Sequence, residues 1–188
     1  MSPSTSLPEP LARLLDARNP PSLDSSPRPG VFSEAMIATE LSAGAKVTPI
    51  NPRSSELLRA LALLWHDQAD AAHRIVQAIE DADGNYLHGL VHRREPDFWN
   101  AKYWFRRVGA HPMFPALATQ ARVLLAGVPD AVWGRRLNSG GNWDPLAWVD
   151  GCEVLSQPGV TGAAMSAGVA LQAAEFRFLA AHLLYFDR

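Results

Sequence analysis

Four histidines of this 188-residue chain come as two spaced pairs, His66 with His73 in HDQADAAH and His88 with His92 in HGLVH, and His111 follows soon after. An imidazole serves as a borderline metal ligand and as a general acid or base, since its ordinary pKa of about 6.5 needs little tuning. Asp67, Asp70, Arg93, Arg94, Glu95, Asp97 and Lys102 share the segment, so anionic donors and substrate-binding cations lie close in sequence. Spaced by four, three and four, His66, Asp70, His73 and Gln77 fall within about 60° of one another on a helix. That stripe borders the apolar arc of Leu58, Leu61, Trp65, Ala72 and Val76, where a cleft between helices would open. His88 and His92 share one face of either a helix or a strand.

Two such pairs, with Asp70 and Glu95 as carboxylates, have the composition of a zinc, iron or manganese site that keeps a position open for water. The expected metal set is His66, Asp70, His73, His88 and His92. Without a metal, His73, His88 and His92 remain candidate acids and bases, and Glu95 a base that takes a proton from water. No HExxH or cysteine-based zinc pattern is present, and the angle between the two pairs is left open. A purely structural role for the cluster competes with both chemical readings.

A second feature borders the first. On a helix from Asp97 to Val108, Phe98, Ala101, Trp104, Phe105 and Val108 share a core-facing arc, while Trp99, Asn100, Lys102, Tyr103, Arg106 and Arg107 gather opposite. Cations beside exposed aromatics suit a phosphate or carboxylate attached to a sugar or base. Arg93, Arg94, Asp97, Trp99, Asn100, Lys102 and Arg106 are therefore the expected substrate contacts, with Tyr103 donating a proton or hydrogen bond. The arginines have a competing use in ion pairs with Glu95 or Asp97. His111, before Pro112, is expected to cap helix carbonyls, and His182 to be a hydrogen-bonded core residue. Trp133, Trp143 and Trp148 are read as core or rim aromatics.

The elements that must position these residues are helical. The pattern predicts a long helix from Ser54 to about Glu80, a turn at DADGNY (Asp81 to Tyr86), and a helix from Pro96 to Gly109. Further helices are expected over Pro115–Leu125, Val128–Leu137, Asp144–Val154 and Thr161–Tyr185, with a loop at NSGGN (Asn138 to Asn142). Seven of the fifteen prolines lie in residues 1–30, which read as a Pro/Ser-rich arm or tail with an ordered turn or two over Pro10–Ala17. No segment alternates with period two, so an all-α, single-domain, bundle-like fold over residues 31–188 is expected.

A formal net charge of -2 gives no basic field for nucleic acid, and neither a secretory leader nor a membrane span is read in the sequence. The single cysteine, Cys152, is expected as a buried thiol in a reduced, cytoplasmic compartment. The run GNYLHGLVHRREPDFWNAKYWFRRVGAHP (Gly84 to Pro112) resembles an uncharacterised family of small bacterial and fungal proteins that share this segment. The resemblance implies that the segment is the working part, and it brings no reaction, cofactor or catalytic residue with it. The leading expectation is a small metal-dependent or histidine acid/base enzyme acting on a phosphorylated or sugar-like small molecule. A non-catalytic ligand- or partner-binding module is the alternative, and a homo-oligomer whose arm packs on a neighbouring copy is a third.

Overall fold

Side-chain caps set most of the helix starts. Ser33, Asn51, Asp81, Asp97 and Asp144 each accept a hydrogen bond from a backbone N–H of the following turn, and Pro52 and Pro145 occupy first helical positions, where no donor is lost. The computed structural model describes residues 7–128, 133–137 and 141–185. They form α1 (Glu9–Leu14), α2 (Glu34–Val47), α3 (Pro52–Trp65), α4 (Ala69–Val76), α5 (Ala82–Arg94), α6 (Phe98–Val108), α7 (Phe114–Leu125), α8 (Gly134–Leu137), α9 (Pro145–Leu155) and α10 (Gly162–Tyr185). No strand occurs among the described residues, and the fold is all-α as expected. None of their helices is long and apolar enough to cross a membrane.

The helix expected from Ser54 to Glu80 is two helices. α3 stops because buried guanidinium groups take its last carbonyls: Arg94 donates to Leu64 O and Arg28 to Trp65 O. Asp67 then turns the chain with φ 61°, a left-handed conformation that Asp tolerates better than most residues. The Asp67 carboxylate accepts from Arg94 Nη2 at 2.8 Å and pairs with Arg28 Nε at 3.1 Å, which fixes the bend between α3 and α4.

The expected turn at DADGNY is the start of α5. Asp81 is its cap, accepting from Gly84 N at 2.9 Å, and the Asp83 carboxylate lies in the first turn, where the helix dipole favours it. α5 carries no apolar stripe because every residue from Asp83 to Arg94 is buried. Gly89 allows α6 to close on it, since a Cβ there would meet the Phe105 ring at 2.9 Å. α6 begins at Phe98 and not at Pro96, because Asp97 caps it by accepting from Asn100 N at 3.2 Å. α2 was not marked by periodicity and buries only Ile37 and Gly44. In the span expected as the helix Val128–Leu137, residues 129–132 lie outside the described residues, as do 138–140 of the NSGGN loop.

α5 is fastened to α10 and α9 by a buried ion pair. Arg93 and Glu175 are both fully buried, with Nη2 to Oε2 at 2.5 Å and Nη1 to Oε1 at 3.0 Å. Glu175 also accepts from Tyr86 Oη at 2.5 Å and Trp148 Nε1 at 3.1 Å. Such a pair is favoured by close geometry and further hydrogen bonds: the carboxylate has four donors, and the guanidinium is left with one buried N–H, at Nε, without a partner among the described residues. The N-terminal arm seals the other side: Leu7, Leu11, Leu14, Leu15 and Leu23 are buried, and Gln172 and Arg94 donate to Ser22 O at 2.7 and 3.3 Å.

Glu175→Gln leaves the Arg93 cation without a counter-charge and should cost about 3–5 kcal/mol of unfolding free energy. Arg93→Met combined with Glu175→Leu should recover much of that loss. Denaturant midpoints check this, and a Glu175→Gln protein as stable as the wild type would contradict it.

Candidate functional site

α4 and α5 bring three imidazoles together. His73 lies near the end of α4, and His88 and His92 lie one turn apart on α5. Nε2 of His73 is 2.8 Å from Nε2 of His88, and one ring nitrogen from each of the three residues lies within 4.8 Å of the others. The rings of His88 and His92 are stacked, with centroids 5.0 Å apart, and His73 stands edge-on to both, at 4.7 and 5.1 Å. The two pairs therefore converge through His73, His88 and His92.

Neighbours hold the rings in place. The Trp104 indole stacks on His88 with centroids 3.7 Å apart and planes at 11°. Glu95 Oε2 lies 3.2 Å from His92 Nδ1, and Asn100 Nδ2 lies 3.2 Å from His92 Nε2. His88 Nδ1 is buried without a hydrogen-bond partner. Burial, then the neighbouring His73 and His92 rings, pull the His88 pKa down to about 3. His92 is also lowered, by burial first and by His73, while Glu95 opposes the shift. Both rings are thus neutral near pH 7 and keep a lone pair for a cation.

Zn–N bonds of about 2.0–2.1 Å in a tetrahedron put ligand nitrogens about 3.3 Å apart, so the His73–His88 contact would open by roughly half an ångström around an ion. Glu95 stands behind His92 as the carboxylate that orients a ligand imidazole and fixes its tautomer.

Other expected site residues lie elsewhere. His66 stacks on Phe32, with centroids 4.8 Å apart, and its Nδ1 accepts from Phe32 N at 3.2 Å; the bend at Asp67 carries it away from His73. Asp70 is exposed at the start of α4, outside the three-imidazole group, and among the described residues no carboxylate joins that group. Arg93 and Arg94, expected on a binding loop, form the buried end of α5 and are committed to Glu175 and Asp67. Lys102 pairs with Asp150 at 2.5 Å and ties α6 to α9, while Asp97 serves as a cap. Arg93, Arg94, Lys102 and Asp97 are thus held in structural contacts and are not available to a substrate as they stand.

The rest of the α6 face is open. Trp99 is 78% and Tyr103 43% exposed, and Arg106 and Arg107 are exposed with them. The Arg107 guanidinium lies 5.8 Å from the Tyr103 ring centroid and 5.6 Å from that of Trp104. Trp104, expected in the core, is the contact that helical periodicity missed; its spacing of four from Asn100, which reaches His92, was the available signal. His111 is not a carbonyl cap. It is buried and, with His182, converges on Asp83. Against burial, which raises it, hydrogen bonds from His111, His182 and Arg53 hold the Asp83 carboxyl well below its ordinary range.

No family profile matches the sequence, and no curated protein or solved structure matches it either. Function has to be inferred from the geometry.

His66 provides a pH test of the arm contact. Burial, then the nearby Arg28 charge, lower its pKa to about 4, so the unfolded chain takes up a proton below about pH 6.5 that the folded chain refuses until about pH 4. Stability should fall by about 1–3 kcal/mol across that window from this group. His88 and His92 act in the same direction, so the comparison is with His66→Gln, which keeps an acceptor without titrating. Urea midpoints at pH 7 and pH 5 should differ less in the variant; equal pH dependence would contradict the assignment.

Proposed function

We propose that His73, His88 and His92 form a metal centre of a small enzyme acting on a polar or anionic small molecule, such as a phosphorylated or sugar-like compound. The observation that carries the proposal is the convergence of three imidazoles from two helices, two of them buried, on one point. An all-nitrogen set without a carboxylate favours zinc over manganese or iron(II), and three histidines leave a fourth position for water. A zinc ion there would lower the pKa of a bound water to about 7 and so supply a nucleophile at neutral pH.

The chain's own residues have separate tasks in this reading. Glu95 holds His92 in the tautomer with Nε2 unprotonated, where an ion would displace the Asn100 Nδ2 contact, and Trp104 fixes the plane of His88. Asn100, beside His92, offers a hydrogen-bond donor to substrate. Arg106 and Arg107 supply charge for phosphate or carboxylate, while Trp99 and Tyr103 offer flat surface to a sugar or base. Should the group work without metal, the half-buried His73 is the proton carrier and His88 its partner. The Cys152 thiol, pushed by burial up to about 12, suits a reducing cytoplasmic setting.

The high exposure of Trp99 also supports a second reading, a non-catalytic module that binds a ligand through Trp99, Tyr103 and Arg106.

Metal analysis of protein purified without a histidine tag tests the main reading. The His73→Ala/His88→Ala variant should hold one equivalent less zinc than the wild type; equal metal content would overturn it. For the α6 face, Trp99→Ala should leave the melting temperature unchanged and abolish the thermal shift given by sugar phosphates or nucleotides. Unfolding of this variant would show that Trp99 is needed by the core.

A further inference from the structure

A second pair of histidines converges on Asp83. Asp83 stands in the first turn of α5, His111 in the connection from α6 to α7, and His182 in the last turn of α10. Asp83 Oδ1 lies 2.8 Å from Nε2 of His111 and 3.1 Å from Nε2 of His182. The two rings meet edge to face, with centroids 4.7 Å apart, and one ligand atom from each residue lies within 4.8 Å of the others. We infer that Asp83, His111 and His182 form a second divalent-metal site, separate from the three-histidine group.

Three features support an ion at this point. The donor set of two imidazoles and one carboxylate is one that zinc, iron(II) and manganese(II) accept. The three side chains are nearly buried, at 9%, 1% and 12% exposure, so an ion here exchanges bulk water for protein ligands. The local charge also suits a cation: among the described residues the Arg53 guanidinium is shared between the carboxylates of Asp81, at 2.6 Å, and Asp83, with Oδ2 at 2.8 Å. Arg53 engages Oδ2 and leaves Oδ1 to the imidazoles.

Without an ion the same groups form hydrogen bonds. Met113 N donates to His111 Nδ1 at 3.4 Å, which leaves the His111 proton on Nε2, facing Asp83. Metal binding at Nε2 moves that proton to Nδ1, gives up the long Met113 contact, and exchanges the two Nε2–Oδ1 hydrogen bonds on Asp83 for bonds to the ion. The ion would join three segments distant in sequence, the start of α5, the α6–α7 connection and the end of α10. Its expected role is therefore stabilisation of the fold, by binding the folded chain and not the unfolded one.

Zinc titration of chelator-stripped, tag-free protein by calorimetry tests the inference. The wild type should bind two equivalents; His182→Gln should keep only the equivalent that His73→Ala/His88→Ala loses, and the reverse. A wild type that binds one equivalent, kept in His182→Gln, would overturn the second site. A single equivalent lost in His182→Gln and kept in His73→Ala/His88→Ala would support this site and overturn the three-histidine one. A readout on the wild type covers a His182→Gln protein that fails to fold: long-range ¹H–¹⁵N spectra should show the His111 proton moving from Nε2 to Nδ1 on zinc addition. A His111 tautomer unchanged at saturating zinc would overturn the inference.

Discussion

The fully buried pair of Arg93 with Glu175 is the constraint around which the molecule is arranged. A guanidinium and a carboxylate removed from water are favoured by close mutual geometry and by partners for the remaining hydrogen-bonding groups. Tyr86 and Trp148 complete the carboxylate and Gln172 accepts from Arg93 Nη2, which draws α5, α9 and α10 to one point, while Arg93 Nε is buried without a partner among the described residues. With α5 so fixed, the residues on either side of Arg93 have their directions set by helical geometry, about 100° apart. His92 turns toward α4 and α6, where His73, Glu95 and Asn100 meet it. Arg94 turns toward the end of α3, where it takes the Leu64 carbonyl, pairs with Asp67 and holds the N-terminal arm. Three consecutive side chains thus serve the candidate site, the core and the arm.

The same burial tunes the candidate site. α5 has little contact with solvent, so its polar residues must each find a partner or lose their charge. The arginines, which do not deprotonate, find carboxylates. The histidines can become neutral, and His88 and His92 are lowered far enough to do so. A core that makes imidazoles neutral and faces their nitrogens toward one another is suited to receive a cation. The residues that would meet a substrate lie on the exposed side of α6, which reaches the same rings through Asn100 and Trp104.

Much of the architecture was legible where an element keeps one face in water. α6 showed its apolar face and α9 its start at Asp144, and the fold class followed from helical spacing and the lack of alternation. Three elements were not legible, for physical reasons. The bend at Asp67 depends on Arg28 and Arg94, which take the α3 carbonyls from distant positions, so no local pattern marks it. α5 lacks an apolar face because it is buried all round, and its DADGN start has the composition of a turn while serving as a cap and first turn. α2 buries too little to carry a clear period.

The site was partly legible for the same reasons. His88 and His92 share a face whatever the element, and His73 joins them because α4 packs on α5. His66 and Asp70 were grouped with them only by assuming a straight helix. Arg93, Arg94 and Lys102 have the right chemistry for a substrate, and their partners Glu175, Asp67 and Asp150 are distant in sequence. Conversely, Asp83, His111 and His182 are joined only by tertiary structure. The most direct test of the central claim is anomalous diffraction at the zinc edge from crystals of tag-free protein grown with zinc. The account predicts a peak within about 2.2 Å of nitrogens of His73, His88 and His92; no peak among these rings would contradict it.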